Sequence, residues 1–195
     1  MSDREMTLDQ SRHPWSLSHK LVRGLWMLVW GVCRRGPRFL SPFRIALLRL
    51  FGARIGAEVL VCGGVKVLMP WNLTIANSTA ISEGVDIYNF APVSIGSNTV
   101  VSQRVWLCTG THDYNDPTFP LTWKEISIGD ATWVAAESFV APGVRIGDGV
   151  VVAARSVVSR HLEDWNVYGG NPCALIKART RPSALRAKEP DAAPR

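Results

Sequence analysis

The chain has 195 residues, of which 47% are hydrophobic and 19% are charged. This length fits one domain, and the composition excludes a disordered chain because enough apolar side chains are present to form a core. The cysteines lie far apart without a CxxC pair, which excludes a zinc ribbon or a disulfide scaffold and favours a reducing cytoplasm. The four cysteines are Cys33, Cys62, Cys108 and Cys173.

The net charge of +6 is unevenly distributed along the chain. Residues 1–54 contain ten basic and three acidic residues, residues 55–170 contain six and eleven, and residues 171–195 contain six and two. A nucleic-acid-binding domain would carry its basic residues on the folded core, so this distribution argues against a nucleic-acid partner. Basic termini instead suit phosphate groups or an anionic membrane surface.

Two apolar helices are predicted in residues 1–54, an N-terminal helical region. The uncharged run Gly24–Cys33 has ten residues, whereas a membrane-spanning helix needs about 20. A signal peptide is not expected, because the run lacks a cleavage site with small residues. The second helix should begin after Pro42. These helices either pack on the main domain or contact the inner face of a membrane, with Trp26 and Trp30 at the interface.

The middle of the chain has aliphatic residues spaced mostly six positions apart. Neither a helix nor a simple strand sustains this period, whereas six residues suffice for one short strand and one turn. Three such units close a triangular coil, so five groups of three predict five stacked coils with the aliphatic side chains inside. Small residues that follow them, as in Ile95-Gly96 and Ile128-Gly129, are expected at turns with a demanding backbone conformation. The fifteen positions are Ile55, Val61, Val67, Ile75, Ile81, Ile87, Ile95, Val101, Leu107, Ile128, Val134, Val140, Ile146, Val152 and Val158.

This period is that of the hexapeptide repeat, and the chain resembles the acyltransferases that fold as left-handed parallel β-helices. Trp15-Ser-Leu, Tyr88-Asn, Gly170-Asn-Pro and the run from Thr111 to Leu121 are similar to acetyltransferases assigned to colanic acid biosynthesis. The resemblance implies an all-β dominated fold, a left-handed parallel β-helix of about five coils at residues 55–176. It also implies acetyl-CoA as co-substrate, no metal and a homotrimer. Residues 177–195 are predicted to be a basic, disordered tail.

A polar loop at residues 108–125 interrupts the period. Loops that leave a rigid scaffold often carry function, and this one contains His112. A neutral imidazole near pH 7 can accept the proton of a sugar hydroxyl that attacks a thioester. The resemblance implies that His112 is this general base and that no Ser or Cys nucleophile is required. Cys108 has no evident activating partner, so we predict a structural role for it.

Candidate acceptor-binding residues lie on the coil before His112. Carboxylates, amides and phenols hydrogen-bond sugar hydroxyls, and the resemblance places Asp86 and Asn89 near the acceptor. Glu83 and Tyr88 complete this group of four, whose alternative role is that of solvated turn residues.

The loop itself adds Asp113 and Tyr114 to the candidate acceptor site. Asp113 and Asp116 either shape the loop or orient the imidazole. Tyr114, Phe119 and Trp123 either cover a bound sugar or anchor the loop on the N-terminal helix.

The last coils and the tail supply the predicted acetyl-CoA site. The resemblance implies that backbone groups of two alanines contact the pantetheine arm, that a tryptophan flanks the cleft, and that polar and basic residues hold the CoA phosphates. Arg179 and Arg181 extend this basic surface. Arg155 and Ala174 depart from the residues common at their positions. The candidate cofactor-binding residues are Trp133, Ala136, Ala154, Ser159, Arg160 and Lys177.

The sequence therefore predicts a cytoplasmic O-acetyltransferase that acts on a sugar hydroxyl in exopolysaccharide or surface-glycan biosynthesis. The acceptor can be free, nucleotide-linked or lipid-linked. Alternatives are a non-catalytic hexapeptide assembly protein, another acyl donor, or an amine acceptor. A carbonic-anhydrase-like zinc site is disfavoured because it needs three histidines, and the repeat region has only His112 and His161.

Overall fold

A computed structural model describes residues 15–182 of the chain. The N-terminal part contains helix α1 (Leu17–Cys33) and helix α2 (Ser41–Leu50), with a short 3-10 turn (Arg38–Leu40) between them. A second 3-10 turn (Pro70–Asn72) lies within the part that follows. From Arg54 onward the chain is built almost entirely of short strands.

The strands form three sheets, which are parallel except for the final strand, β19 (Ala174–Ala178), and one hairpin. The first sheet contains β1 (Arg54–Ile55), β4 (Leu73–Ile75), β7 (Val93–Ile95), β12 (Ile126–Ile128) and β15 (Arg145–Ile146). The second sheet contains β2 (Leu60–Val61), β5 (Ala80–Ile81), β8 (Val100–Val101), β13 (Trp133–Val134), β16 (Val151–Val152), β18 (Asn166–Gly169) and β19 (Ala174–Ala178). The third sheet contains β3 (Lys66–Val67), β6 (Asp86–Tyr88), β9 (Trp106–Cys108), β14 (Phe139–Val140) and β17 (Val157–Val158). The hairpin pairs β10 (Gly110–His112) with β11 (Leu121–Trp123).

Successive strands visit the three sheets in order, so the chain winds as a parallel β-helix with five full turns. Strand β18 begins a sixth turn, and β19 folds back antiparallel on it. The predicted repeat is confirmed, because fourteen of the fifteen aliphatic positions are buried in the core. The remaining one, Ile55, is partly buried and packs against that core.

The glycines that follow the aliphatic residues have a role other than the predicted one. Left-handed backbone angles occur instead at other corner positions, including Arg155, whose φ is 59°. A Cβ on Gly129 would collide with the Asp148 side chain of the next turn, and Gly147 meets Asp164 in the same way. These carboxylates accept backbone hydrogen bonds, with Asp148 Oδ1 lying 2.8 Å from the Asp130 nitrogen. Glycine is thus required by close approach between turns and not by its own backbone angle.

The two N-terminal helices cover the first turn of the β-helix. Trp26 Nε1 donates to the Val67 carbonyl at 2.8 Å, and Trp30 Nε1 donates to the Val65 carbonyl at 3.0 Å. Both indoles are buried. The predicted packing of the helices on the main domain is therefore confirmed. The prediction that these two tryptophans lie at a membrane interface is wrong, because the β-helix already covers them.

A buried arginine connects α2 to the link between the helices. The Arg44 guanidinium donates to the carbonyls of Val61, Gly36 and Pro37, at 3.2, 2.7 and 3.1 Å, and also to that of Arg35 at 3.2 Å. The side chain is completely buried. Its charge is therefore compensated by carbonyl dipoles, and it fixes the helical region against the first turn.

The ordered chain extends further than the predicted boundary at residue 176. Strand β19 continues to Ala178, and Arg179 Nη1 donates to the carbonyls of Ala131 and Gly149, each at 2.8 Å. Arg179 is therefore occupied in closing a corner of the β-helix, which corrects the expectation that it extends a phosphate-binding surface. Residues 183–195, which hold most of the predicted tail, lie outside the described residues. Within residues 15–182, no helix has both the length and the apolar character needed to cross a bilayer.

Candidate active site

The loop that interrupts the repeat is a β-hairpin rather than an irregular segment. It leaves the third sheet after β9, and β10 pairs with β11 so that His112 lies opposite Leu121 and Gly110 lies opposite Trp123. Because side chains alternate along a strand, these four residues share one face of the hairpin. A Cβ on Gly110 would lie 2.9 Å from the Phe90 ring and 3.4 Å from the Tyr88 ring, so this face lies close to the preceding turn.

The imidazole of His112 is held by the other end of the loop. Its Nδ1 lies 2.9 Å from the Phe119 carbonyl oxygen, and the two rings stack with their centroids 4.4 Å apart. A carbonyl can only accept a hydrogen bond, so this contact requires the proton on Nδ1. In the neutral ring, Nε2 then has a free lone pair, and the exposed side chain can receive a proton from a ligand.

The two loop aspartates shape the turn that presents Phe119. Asp116 Oδ1 accepts from both the backbone nitrogen and the hydroxyl of Thr118, each at 2.8 Å. These two hydrogen bonds lower the pKa of the Asp116 carboxyl. Asp113 Oδ1 accepts from the Asn115 nitrogen at 3.0 Å. Of the two predicted roles, both carboxylates therefore serve loop shape, and the Phe119 carbonyl orients the imidazole.

Cys108 has the environment of a structural thiol. Its Sγ donates to the Gly110 carbonyl at 3.3 Å, and the residue is buried. Burial raises the pKa of the thiol, which keeps it protonated near neutral pH, and a protonated thiol is a poor nucleophile. This supports the prediction that Cys108 is not the reacting group.

Asp86 and Tyr88 line a cleft between the third sheet and α1. The cleft has a volume of about 390 Å³, and α1 contributes Trp30 and Arg34 to its wall. Asp86 forms an ion pair with Lys66, with 2.9 Å between Oδ2 and Nζ. Burial raises the pKa of Tyr88, so its hydroxyl remains a hydrogen-bond donor. The volume falls within the usual range for small-ligand sites, about 300–1,000 Å³.

The other two candidates from this coil lie apart from the cleft. Asn89 is completely buried, and its amide binds both the nitrogen and the carbonyl of Met69, at 3.0 and 2.7 Å. The prediction that its side chain contacts the acceptor is therefore wrong. Glu83 is exposed at the corner before β6, near Cys62, whose thiol pKa is raised by burial and by the Glu83 carboxylate. It lies at the opposite end of β6 from Tyr88.

Aromatic side chains anchor the hairpin on the N-terminal segment. Trp123 stacks with Trp15 at a centroid distance of 6.1 Å and contacts Phe90 at 6.4 Å. Trp15 also stacks on Phe90 at 5.4 Å. Trp123 therefore takes the anchoring role of the two that were predicted. Tyr114 is highly exposed at the tip of the loop.

The alanines of the predicted donor site lie at the corner between the second and third sheets. Ala136 and Ala154 occupy equivalent positions in successive turns, and the Ala136 carbonyl accepts from the Arg155 nitrogen at 2.9 Å. Trp133 projects from the outer side of the second sheet, about half exposed, and donates to Ser102 Oγ at 2.9 Å. Small side chains beside an exposed indole leave space along this corner for an extended ligand.

The phosphate-site candidates are distributed over the last turn. Ser159 and Arg160 follow β17 at the corner between the third and first sheets, and Lys177 lies exposed on β19. The Arg160 guanidinium donates twice to the Cys173 carbonyl, at 3.2 and 2.8 Å. Arg160 thus supports the turn before β19, which leaves Lys177 as the more available cation of the two.

The alanines of the predicted donor site and the His112 hairpin lie at different corners of one chain. Ala136 precedes β14, whereas the His112 hairpin leaves the corner that follows the third sheet. The third sheet separates these corners by about five residues, or roughly 16 Å at the rise of an extended chain. One chain therefore does not bring all the candidates into a single cleft.

The Phe119 carbonyl and Trp15 were not among the predicted site residues. A backbone carbonyl carries no side-chain signal, so the sequence could not identify the partner of His112. Trp15 was part of a matching motif, but its contact with Trp123 depends on a packing across more than a hundred residues. In residues 15–182, no group of three or more histidine, cysteine or acidic side chains is arranged to hold a metal ion.

Comparison with known proteins agrees with this architecture. Residues 125–160 match the family described as bacterial transferase hexapeptide (six repeats). The chain is 40% identical over 154 residues to the protein named "Putative colanic acid biosynthesis acetyltransferase WcaF" of Escherichia coli (strain K12), covering 79% of this chain and 85% of that protein.

Two solved structures share the fold at lower identity. The hexapeptide-repeat acetyltransferase VCA0836 of Vibrio cholerae, complexed with acetyl coenzyme A, superposes with a TM-score of 0.79 at 23% identity, covering 93% of this chain and 100% of that one. A galactoside acetyltransferase in complex with coenzyme A has a TM-score of 0.79 at 21% identity, with 86% of each chain covered. The repeat, the hairpin and the extended identity to WcaF together show that this chain belongs to the hexapeptide-repeat acetyltransferase family.

Proposed function

We propose that the protein transfers an acetyl group from acetyl-CoA to a hydroxyl of a sugar, in the synthesis of an exported or surface polysaccharide. The observation that carries this proposal is the His112–Phe119 contact, because it leaves Nε2 of an exposed imidazole free to accept a proton. The relatives named above include acetyltransferases for carbohydrate-related acceptors, and two structural neighbours were solved with CoA species. These similarities support acetyl-CoA as the acyl donor.

In the proposed reaction, His112 Nε2 accepts the proton of the sugar hydroxyl as its oxygen attacks the thioester carbonyl carbon. The new C–O bond forms, the C–S bond breaks, and the imidazolium returns the proton to the departing sulfur. The Phe119 carbonyl stabilises the imidazolium because it accepts the Nδ1 proton throughout. Asp86 and Tyr88 bind the acceptor, while the corner with Ala136 and Ala154 holds the donor arm.

We further infer that the complete site forms between chains of a homotrimer. The outward residues of the second sheet are apolar from β2 to β18, and in the third sheet they change from charged to apolar along the axis. The first sheet has a polar outer face. The outward residues of the second sheet are Leu60, Ala80, Val100, Trp133, Val151 and Val167. Those of the third sheet are Lys66, Asp86, Trp106, Phe139 and Val157. Those of the first sheet are Arg54, Thr74, Ser94, Ser127 and Arg145.

An apolar second sheet beside a third sheet that is apolar over its last three turns suits a ring with threefold symmetry, since the second sheet of one chain meets the third sheet of the next. The exposure of Trp106 and Trp133, close to one half for each, supports this contact. Such packing brings the alanine corner of one chain towards the hairpin corner of its neighbour. The sedimentation mass should therefore be three times the 21.5 kDa of one chain. A monomeric mass would contradict the shared site.

The direct test of the function is acetyl-CoA turnover against a panel of sugars. The panel contains simple glycosides, nucleotide sugars and lipid-linked oligosaccharides, each matched by an analogue in which an amine replaces one hydroxyl. Mass spectrometry should show one added acetyl group on a sugar hydroxyl. Transfer to the amine alone, or incorporation of another acyl group in preference to acetyl, would overturn the proposed reaction.

A further inference from the structure

Helix α1 has apolar side chains on two opposite faces. Trp26 and Trp30 cover the β-helix on one side. On the other side, residues spaced four and three apart form a stripe whose members are each 55–74% exposed. A helix with apolar residues on opposite faces normally has partners on both sides, and within residues 15–182 no other segment buries this stripe. The leucine stripe consists of Leu17, Leu21, Leu25, Leu28 and Val32.

The region that follows α1 exposes further large apolar side chains. Phe39, in the 3-10 turn, is 78% exposed, and Leu50, at the end of α2, is 77% exposed. Phe43 is also more than half exposed. We call residues 15–54, which contain α1 and α2 and lie over the first turn of the β-helix, the helical cap. It therefore presents apolar groups from both helices, whereas the first sheet has a polar outer face.

The charge of this cap has a single sign. Between Trp15 and Ala57 the sequence contains no aspartate or glutamate. Its exposed basic residues are Lys20, Arg35, Arg38, Arg49 and Arg54. Apolar side chains bordered by arginine and lysine fit the boundary between acyl chains and anionic headgroups, where leucine and phenylalanine enter the apolar layer and cations contact phosphates.

We propose that the helical cap docks on the surface of an anionic phospholipid bilayer, with the leucine stripe facing the lipid. A second copy of the cap is a poorer occupant, because symmetry would bring its unneutralised basic residues close to those of the first. α1 also lines the cleft that contains Asp86 and Tyr88. Docking therefore places the proposed acceptor site beside the membrane surface. In the homotrimer of the proposed function, three caps at one end would add their contacts to the same bilayer.

Vesicle flotation of the intact chain tests this proposal without substrate, so its outcome does not depend on acetyl transfer. The vesicles contain equal parts of phosphatidylcholine and phosphatidylglycerol, or phosphatidylcholine alone. We expect binding to the mixed vesicles, much weaker binding to the neutral ones, and a decrease in high salt. Replacing Leu25 and Leu28 by serine should weaken binding about tenfold per leucine, and Arg38→Glu should weaken it at least about fivefold.

Matched controls come from the other end of the β-helix. Leu175→Ser with Ile176→Ser removes two equally exposed apolar side chains from β19, and Arg145→Glu reverses an exposed charge on the first sheet. These variants should retain binding. The proposal is overturned if the wild-type protein does not float with mixed vesicles, or if the controls lose binding as much as the cap variants. A lower sedimentation mass of the Leu25→Ser, Leu28→Ser variant would assign the stripe to a second copy instead.

Discussion

The Nδ1 atom of His112 and the carbonyl oxygen of Phe119 are 2.9 Å apart, although the two residues lie at opposite ends of the loop tip. The contact closes the tip and sets the tautomer of the imidazole at the same time. The geometry of the loop is therefore linked to proton transfer by His112. Substitution of His112 removes the proposed base, whereas substitution of Asp116 changes the shape of the loop.

Replacing His112 by alanine removes the proposed base and should lower turnover by about 10²–10⁴-fold, the usual contribution of such a group. The affinity for CoA should change little, because the proposed contacts to the donor come from Ala136, Ala154 and Lys177, none of which belongs to the hairpin. Steady-state kinetics on a confirmed acceptor and calorimetry of CoA binding check this pair of outcomes. Near-normal turnover of the variant would rule out His112 as the base.

The converse pattern is expected for Lys177→Ala. This substitution removes an exposed cation from β19 and should weaken CoA binding while the chemical step stays nearly intact. Single-turnover measurements at saturating acetyl-CoA separate the two effects. A variant with unchanged CoA affinity would show that the phosphates are held elsewhere.

Asp116 is expected to act on catalysis only through loop shape. In Asp116→Ala, the loss of both hydrogen bonds to Thr118 should displace the Phe119 carbonyl and lower kcat by up to about 100-fold, a known scale for a misplacement of this kind. Asp116→Asn retains an acceptor oxygen and should recover most of the activity. If alanine and asparagine were equally damaging, the carboxylate charge and not the loop geometry would be responsible.

Arg44 should contribute strongly to stability because its guanidinium donates to several carbonyls in a fully buried position. Arg44→Met should lower the free energy of unfolding by about 3 kcal/mol, since hydrogen bonds to charged groups are lost and carbonyls are left unsatisfied. Arg49 also donates to carbonyls, those of Ile55 and Gly56, but it is exposed. Arg49→Met should therefore cost much less in denaturant unfolding at the same protein concentration.

Two glycine-to-alanine substitutions should change stability in opposite directions. Gly129→Ala places a Cβ against the Asp148 side chain and backbone of the next turn, and this overpacking should cost about 1–3 kcal/mol. Gly24 lies in α1 with no atom near its missing Cβ, so Gly24→Ala should stabilise by up to about 1 kcal/mol. Thermal unfolding of both variants gives the comparison. Stabilisation by Gly129→Ala would contradict the close packing of the turns.

Glu137 should contribute to stability in a pH-dependent way. It pairs with Arg104 and Arg155 from the turns on either side, and these hydrogen bonds lower the pKa of its carboxyl. A lowered folded-state pKa means that the contribution is complete above the unfolded pKa of about 4.3. It is lost as the pH falls through the lower folded value.

The Tm difference between the wild type and Glu137→Gln should thus be present at neutral pH and disappear in acid. The exposed Glu125 provides the matched control, Glu125→Gln. A difference that stays constant down to strongly acidic pH would exclude the ion pairs as its cause. High salt should reduce it, because all three side chains are accessible to solvent.

The β-helix can be predicted from the sequence because the buried aliphatic residues recur with the same spacing as the strands that carry them. The sequence is less informative about polar side chains that hydrogen-bond to backbone groups. Asn89 and Arg179 have polar groups typical of binding sites, yet both are occupied by carbonyl or amide groups of other turns. Such roles depend on register between turns, which a single sequence does not show. The hairpin is not predicted from the sequence, because strands of three residues are too short to give a clear pattern.

The helices over the first turn also determine where the β-helix stops. Trp26, Trp30 and Arg44 bind carbonyls of the first turn that would otherwise be free to pair with another strand. An uncovered turn of this kind is a template for the addition of a further chain. The same side chains that position the two helices therefore block this edge against end-to-end addition of a second β-helix.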